Sequence, residues 1–282
     1  MRLANVDERL MVARLGGGFV DLASASAGRF GPDPQTVYER WEEFVDWTES
    51  AGEWTDAGYE PPPEALGPPL PRPRQVFAVA LNYGLHAAEG GSQAPPAPQV
   101  FTKFPTCITG PDTVVDLATD RVDWEAELVV AIGRRAQHVP RAQAWDHVAG
   151  VMAGQDLSAR DVQRTAAREP QFSLGKSFPG FGPTGPWLVS RDEFGEGDAQ
   201  IECLVNGERV QHASTAEMLF GVDVLIEYIS AITPMLPGDL VFTGTPAGVG
   251  SHRDPPRFLA DGDVVVTRID RIGELKQTFR AS

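Results

Sequence analysis

The chain has 282 residues, 42% hydrophobic and 22% charged, the balance of an ordinary globular protein able to bury a sizeable core. A formal net charge of −15 argues against nucleic-acid binding, which needs basic patches to displace counterions, and against adhesion to anionic membranes. An anionic small-molecule substrate stays compatible, because a bound cation and a few Arg or Lys residues reverse the sign locally.

No stretch reaches the roughly 18 apolar residues of a membrane span, and MRLANVDERL has no signal-peptide apolar core. Cys107 and Cys203 form neither a metal-type spacing nor a disulfide framework, so both are expected to be reduced packing residues of a cytoplasmic protein.

In chain order, residues 1–60 read as a small N-terminal module. LMVARL and FVDLA flank Gly16-Gly17-Gly18 as a hairpin, and a helix starts at Asp33-Pro34 with Val37, Trp41, Phe44 and Val45 on one face. Residues 61–74 hold seven prolines and form an extended connector. Residues 75–282 read as the main domain. QVFAVALN and VFTKF are strands, and DWEAELVVAIG is a long strand that begins in alternation and ends fully apolar. PRAQAWDHVAG reads as helical and VMAGQD as extended. SARDVQRTAARE reads as a helix capped by Ser158, with Asp161 at the capping-box position. Asn206-Gly207 between IECLV and RVQHA marks a hairpin. A helix from about Thr215 to Ile232 follows, then LVFTGTP and DVVVTRI as strands. Strands with interspersed helices predict an α+β fold, not a doubly wound sheet.

The acidic residues carry the chemistry. Strand geometry puts Glu125 and Glu127 on one face while Ala126 and Leu128 point into core. Such a pair on a strand is often a solvated face, but this strand is too apolar for a wet edge. A third carboxylate, Asp156, ends an apolar strand just ahead of a helix, where loops present functional groups. Neighbouring carboxylates repel unless a cation sits among them. Without a His/Cys cluster they select a hard cation, Mg²⁺ or Mn²⁺, with Ca²⁺ as a further occupant, and leave about half an octahedron for water and substrate. By spacing alone His86 and Glu89 read as a surface i,i+3 pair, and Lys176 as a solvated loop cation.

Taken in order, LNYGLHAAE, FTKFP, DWEAELVVAIG, GQDLSARDVQ, GKSF, GPTGPW and PGDLVFTGTPAGVG resemble the fumarylacetoacetate hydrolase family from about Pro73 to Phe279. The resemblance implies a mixed β-sandwich or β-roll core of that family's C-terminal type with flanking helices, assembled as a homodimer. It implies metal ligation by Glu125, Glu127 and Asp156, catalytic roles for His86, Glu89 and Lys176, and substrate contacts from Arg160, Gln163 and Thr245. Residues 1–60 inherit little from it.

The implied activity is metal-dependent hydrolysis of a carbon–carbon bond in a 2,4-dioxo acid of the acylpyruvate kind, through a metal-stabilised enolate. His86, oriented by Glu89, would activate the water, and Lys176 would neutralise a developing oxyanion. Decarboxylation of oxaloacetate-type acids or isomerisation on the same metal site is the alternative, and a non-catalytic binding protein of the same fold is a second. Gly84–Pro98 reads as a lid that delivers His86, since Gly84, Gly90 and Gly91 bracket it. Alanine at any one metal ligand is expected to abolish activity with the fold largely intact.

Overall fold

The strand Ala126–Ile132 is apolar throughout because both its faces are buried. Ala126, Leu128, Val130 and Ile132 enter one core, while Val129 and Ala131 enter another on the opposite side. The period-2 alternation of strand side chains does this sorting. The computed structural model describes residues 1–282 apart from 14–16, 51–58, 166–170, 196 and 282.

This strand lies inside an 11-stranded mixed sheet. Its neighbours are Val148–Gln155, antiparallel, and Leu240–Phe242, which continues in parallel to Val76–Ala80 and then Gln99–Thr102. Beyond Val148–Gln155 come Gly182–Ser190, Arg2–Val6, Arg9–Ala13 and Val20–Asp21. A five-stranded sheet of Glu208–Ser214, Gln200–Val205, Val264–Ile269, Gly273–Ala281 and Asp112–Leu117 packs against it. Ile201, Val205, Leu275 and Phe279 of that second sheet meet Leu128 and Val130 of the first in one core. The expected α+β class with sandwiched sheets is what the chain adopts.

Asn206 and Gly207 sit at φ 52° and 82°, as a two-residue type I′ hairpin requires. Other local readings change. The expected helix from Thr215 to Ile232 is a single 3-10 turn, Thr215–Glu217, followed by Val222–Ile232. Leu219 and Phe220 are diverted into hydrogen bonds with Asn82: Leu219 N donates to its carbonyl, Phe220 N to Oδ1, and Nδ2 returns to the Phe220 carbonyl. Ser158 does not cap a helix; it lies in the strand Ser158–Ala159 and its hydroxyl donates to the Asp156 carbonyl. The helix starts at Arg160 and is described to Thr165; residues 166–169, the rest of the expected helix, lie outside the described residues, as does Gly16 of the first hairpin.

The first strands complete one end of the large sheet, with Val20–Asp21 at its edge: Arg2–Val6 pairs with Gly182–Ser190, and the connector adds Leu66–Gly67 to the same sheet. Phe30, Val37, Trp41 and Phe44 cover Val129, Ala131, Met152 and Phe242. A chain beginning at residue 61 is therefore expected to aggregate, because truncation uncovers that apolar face and leaves Gly182–Ser190 without its pairing to Arg2–Val6. Size-exclusion chromatography showing a soluble, monodisperse truncated protein would contradict this.

Candidate functional site

The strand expected to carry both glutamates is interrupted. Val122–Asp123 pairs with Ser158–Ala159, and the ladder resumes only at Ala126. Trp124 and Glu125 are drawn out of it by the loop after Thr245: Gly250 N and Ser251 N donate to Asp123, and the Trp124 indole N–H donates to the Gly248 carbonyl. Glu125 still meets Glu127 and Asp156, because Ala126 is paired with Gln155 and Glu127 with Gly154 across the antiparallel register. One oxygen from each of the three carboxylates lies within 4.8 Å of the others, and all three side chains are buried. Opposite Glu127 the chain needs a glycine, since a Cβ on Gly154 would come 2.4 Å from a Val129 methyl.

Four buried carboxylates face two buried lysines and the partly buried Arg160 here. Lys176 Nζ donates to Glu125 Oε2 and Asp156 Oδ2, both at 2.6 Å. Arg160 bridges Asp123 at 2.8 Å and Glu125 at 2.7 Å. Lys103 Nζ donates to Asp156 Oδ1 at 2.6 Å and to the carbonyls of Lys176 and Phe181. Burial would raise the Glu125 carboxyl, but Lys176 and Arg160 outweigh it and hold it down at about 2. Burial lowers the Lys176 ammonium less than Asp156 and Glu125 raise it. Glu127 is the carboxylate left over. Among the described residues its Oε2 accepts only the Gly244 amide, and burial, then the charges of Asp156 and Glu125, push it well above the carboxylate range.

That surplus tests the fit of a divalent cation. Three hard oxygen donors converge, one of them costly to ionise without a compensating positive charge, and no Cys or His lies among them. The residues fit Mg²⁺ or Mn²⁺.

His86 stands in the short helix Gly84–Glu89, which the Asn82 bonds secure on its N-terminal side. Its Nδ1 lies 2.8 Å from Glu89 Oε1, and Glu89 Oε2 accepts the Gly248 amide at 2.8 Å. Burial raises the Glu89 carboxyl, but the His252 and His86 imidazoles and the Gly248 amide together bring it to about 2. A carboxyl depressed below its ordinary 4.5 stabilises the fold above that pH and loses the contribution as pH falls toward 2. The stability gap between the parent and Glu89→Gln is therefore expected to be full near neutrality and to narrow below about pH 4.5. Urea midpoints recorded down to about pH 3 check this, and a gap independent of pH would contradict it.

His86, Glu125, Arg160, Gln163, Lys176 and Thr245 line one cavity of about 550 Å³. Glu89 lies behind His86, and Glu127 and Asp156 behind Glu125, so the structure gathers all nine residues expected from the sequence. His86 and Ala87 of the expected lid are docked and buried, whereas residues 91–94 are exposed. The Thr245 hydroxyl donates to the Ala126 carbonyl and accepts from Gln211, so only a lone pair could serve a ligand. Gln163 Nε2 is buried without a hydrogen-bond partner among the described residues. Sequence reasoning passed over Lys103, Asp123 and His252. A single Lys inside the apolar VFTKF run was the available signal for the first; nothing local distinguishes the others.

Residues 75–280 match the family model described as the fumarylacetoacetate (FAA) hydrolase C-terminal domain. The chain is 41% identical over 208 residues to the oxaloacetate tautomerase FAHD2A, mitochondrial, of Homo sapiens, a match covering 73% of this chain and 66% of that protein. The chain thus spans just under two thirds of that relative's length. A Mycobacterium smegmatis protein of the HpcE type superposes with a TM-score of 0.91 at 48% identity over 100% of both chains. The fumarylpyruvate hydrolase of Pseudomonas aeruginosa, solved with Mn²⁺ and pyruvate, superposes with a TM-score of 0.68 at 31% identity, covering 74% of this chain and 91% of that one.

Proposed function

The chain belongs to the fumarylacetoacetate hydrolase family, and from that premise we propose that it hydrolyses a carbon–carbon bond in a small 2,4-dioxo acid, with Mg²⁺ or Mn²⁺ as cofactor. The observation that carries this reading is the His86–Glu89 pair, an imidazole fixed at Nδ1 by a carboxylate on the wall of the cavity that Glu125 and Lys176 also line. The Mn²⁺ and pyruvate in the Pseudomonas aeruginosa fumarylpyruvate hydrolase support both the cofactor and the product class.

Glu125, Glu127 and Asp156 would hold the cation, which when bound supplies Lewis-acid polarisation of the 2-oxo acid oxygens. The proton chemistry falls to this chain's side chains. With Glu89 accepting at Nδ1, the other ring nitrogen of His86 takes a proton from water, and Glu89 stabilises the imidazolium that results. The hydroxide adds to the distal carbonyl, the C3–C4 bond breaks, and its electron pair passes to the three-carbon enolate. Lys176 offsets the negative charge on the enolate oxygen, and the imidazolium returns a proton to C3, giving pyruvate and the distal acid. Arg160 and Gln163, on the same cavity wall, would bind the substrate.

A second reading, keto–enol isomerisation of oxaloacetate, is favoured by 41% identity to a protein named an oxaloacetate tautomerase. It needs proton transfer at C3 but no attacking water. Assaying acylpyruvates, fumarylpyruvate and oxaloacetate with Mg²⁺ or Mn²⁺ separates the two. Pyruvate release from a 2,4-dioxo acid supports hydrolysis. Loss of the oxaloacetate enol with no cleavage of any acylpyruvate assigns tautomerisation, and no turnover of any substrate leaves a binding protein.

Homodimeric assembly and a cell-interior location belong to the same proposal. Leu85, Phe104 and Leu174 present exposed apolar surface that a second copy would cover, and the two unpaired, buried cysteines suit a reducing compartment. Light scattering that reports a monomer at micromolar concentration would contradict the dimer.

A further inference from the structure

Outside the carboxylate cluster, one other set of ligand-type side chains converges among the described residues. One ring nitrogen each from His86 and His252 and one Glu89 oxygen lie within 4.8 Å of one another. Glu89 Oε1 is 2.8 Å from His86 Nδ1 and 3.7 Å from His252 Nδ1, and the imidazole centroids are 5.8 Å apart. Tetrahedral zinc with bonds of about 2.0–2.1 Å holds its ligand atoms roughly 3.3 Å apart. The two observed separations fall on either side of that value, so small side-chain shifts suffice.

The surroundings favour an ion. The second Glu89 oxygen is fixed by the Gly248 amide, so the carboxylate is already oriented. His252 Nδ1 is buried without a hydrogen-bond partner among the described residues. Its position is set by the Gly250–His252 turn, whose amides at Gly250 and Ser251 are held by Asp123. Both imidazoles line the cavity, which gives an ion an entry path, and Glu89 offsets one of its charges.

We propose that His86, Glu89 and His252 form a second cation site, selective for Zn²⁺ or a similar borderline ion, that inhibits by capturing His86. Two imidazoles and one carboxylate with a fourth position open to water are a zinc donor set, whereas the three-carboxylate centre suits Mg²⁺ or Mn²⁺. Zn²⁺ displaces the proton that His86 shares with Glu89, releasing it to solvent. An imidazole bound to a dication is a poor base, so water activation stops. The inhibition rests on the function proposed above; the binding does not.

The test uses full-length protein saturated with Mn²⁺ and titrated with Zn²⁺, following both ions by equilibrium dialysis and, in parallel, turnover. The parent is expected to take up about one additional Zn²⁺ per chain while keeping its Mn²⁺, and to lose activity reversibly with a chelator. His252→Ala should lose at least about tenfold in Zn²⁺ affinity, and its turnover, measured against its own zinc-free rate, should resist inhibition. His252→Gln should behave alike, and circular dichroism verifies that both variants fold. Zn²⁺ uptake unchanged in both variants, uptake only in exchange for Mn²⁺, or no uptake would overturn the proposal. Should the parent turn over none of the candidate substrates, the function fails while the dialysis arm still decides the site.

Discussion

Replacing Glu127 by Gln is expected to abolish metal-dependent turnover while leaving the metal-free protein at least as stable as the parent. Glu127 is the carboxylate of the four with no salt bridge among the described residues, and burial together with Asp156 and Glu125 makes its ionisation costly. A glutamine keeps the acceptor for the Gly244 amide and removes the repulsion. Partners one shell out from a metal already cost about 10–100-fold when removed, so a lost ligand should cost more. Asp156→Ala should differ. Asp156 is paired with Lys103 and Lys176, both buried, and truncating it strands those ammonium groups. Breaking a buried pair costs about 3–5 kcal/mol. The sequence-level expectation that alanine at any ligand spares the fold is thereby narrowed to Glu127. Urea unfolding and Mn²⁺ titration of the two variants check both halves. Equal destabilisation by Glu127→Gln and Asp156→Ala would show that Lys103 and Lys176 do not distinguish the two carboxylates.

Replacing His86 by Ala is expected to cost about 10²–10⁴-fold in hydrolysis of a 2,4-dioxo acid, with Mn²⁺ affinity barely changed. The separation of the two readouts follows from the layout: His86 lies on the cavity wall, bonded to Glu89 rather than to any of the three carboxylates that gather the cation. Glu89→Gln should cost less, because a glutamine oxygen can still accept from Nδ1 but cannot balance the imidazolium charge. The measurement is kcat/KM on one acylpyruvate beside Mn²⁺ binding. Full hydrolysis by His86→Ala, with the metal still required, would remove the water-activating role. Another group at the site would then activate the water.

How much was legible follows the range of the forces involved. The Asn206-Gly207 hairpin, the doubly buried Ala126–Ile132 strand and the helix ending at Ile232 are written in local pattern, because turn conformation and side-chain periodicity are set within a few residues. The Gly- and Pro-interrupted strand Gly182–Ser190 and the largely polar strand Gly273–Ala281 were not legible, since only their partners make them strands.

The sequence by itself determined the α+β class and, through the ordered family segments, the nine residues that the fold gathers around one cavity. Tertiary structure alone decided how their charges balance. Asp123 bonds to Gly250 across 127 positions and Lys103 to Asp156 across 53, so no local window contains both partners. Such distant contacts, with Lys176 and Arg160 on Glu125, balance the charges of Glu125 and Asp156, leave Glu127 in surplus, and bring His252 beside Glu89. Burial is the physical reason: in a low-dielectric interior the ionisation of a carboxyl depends on what packs within a few ångströms, and only the folded chain sets that.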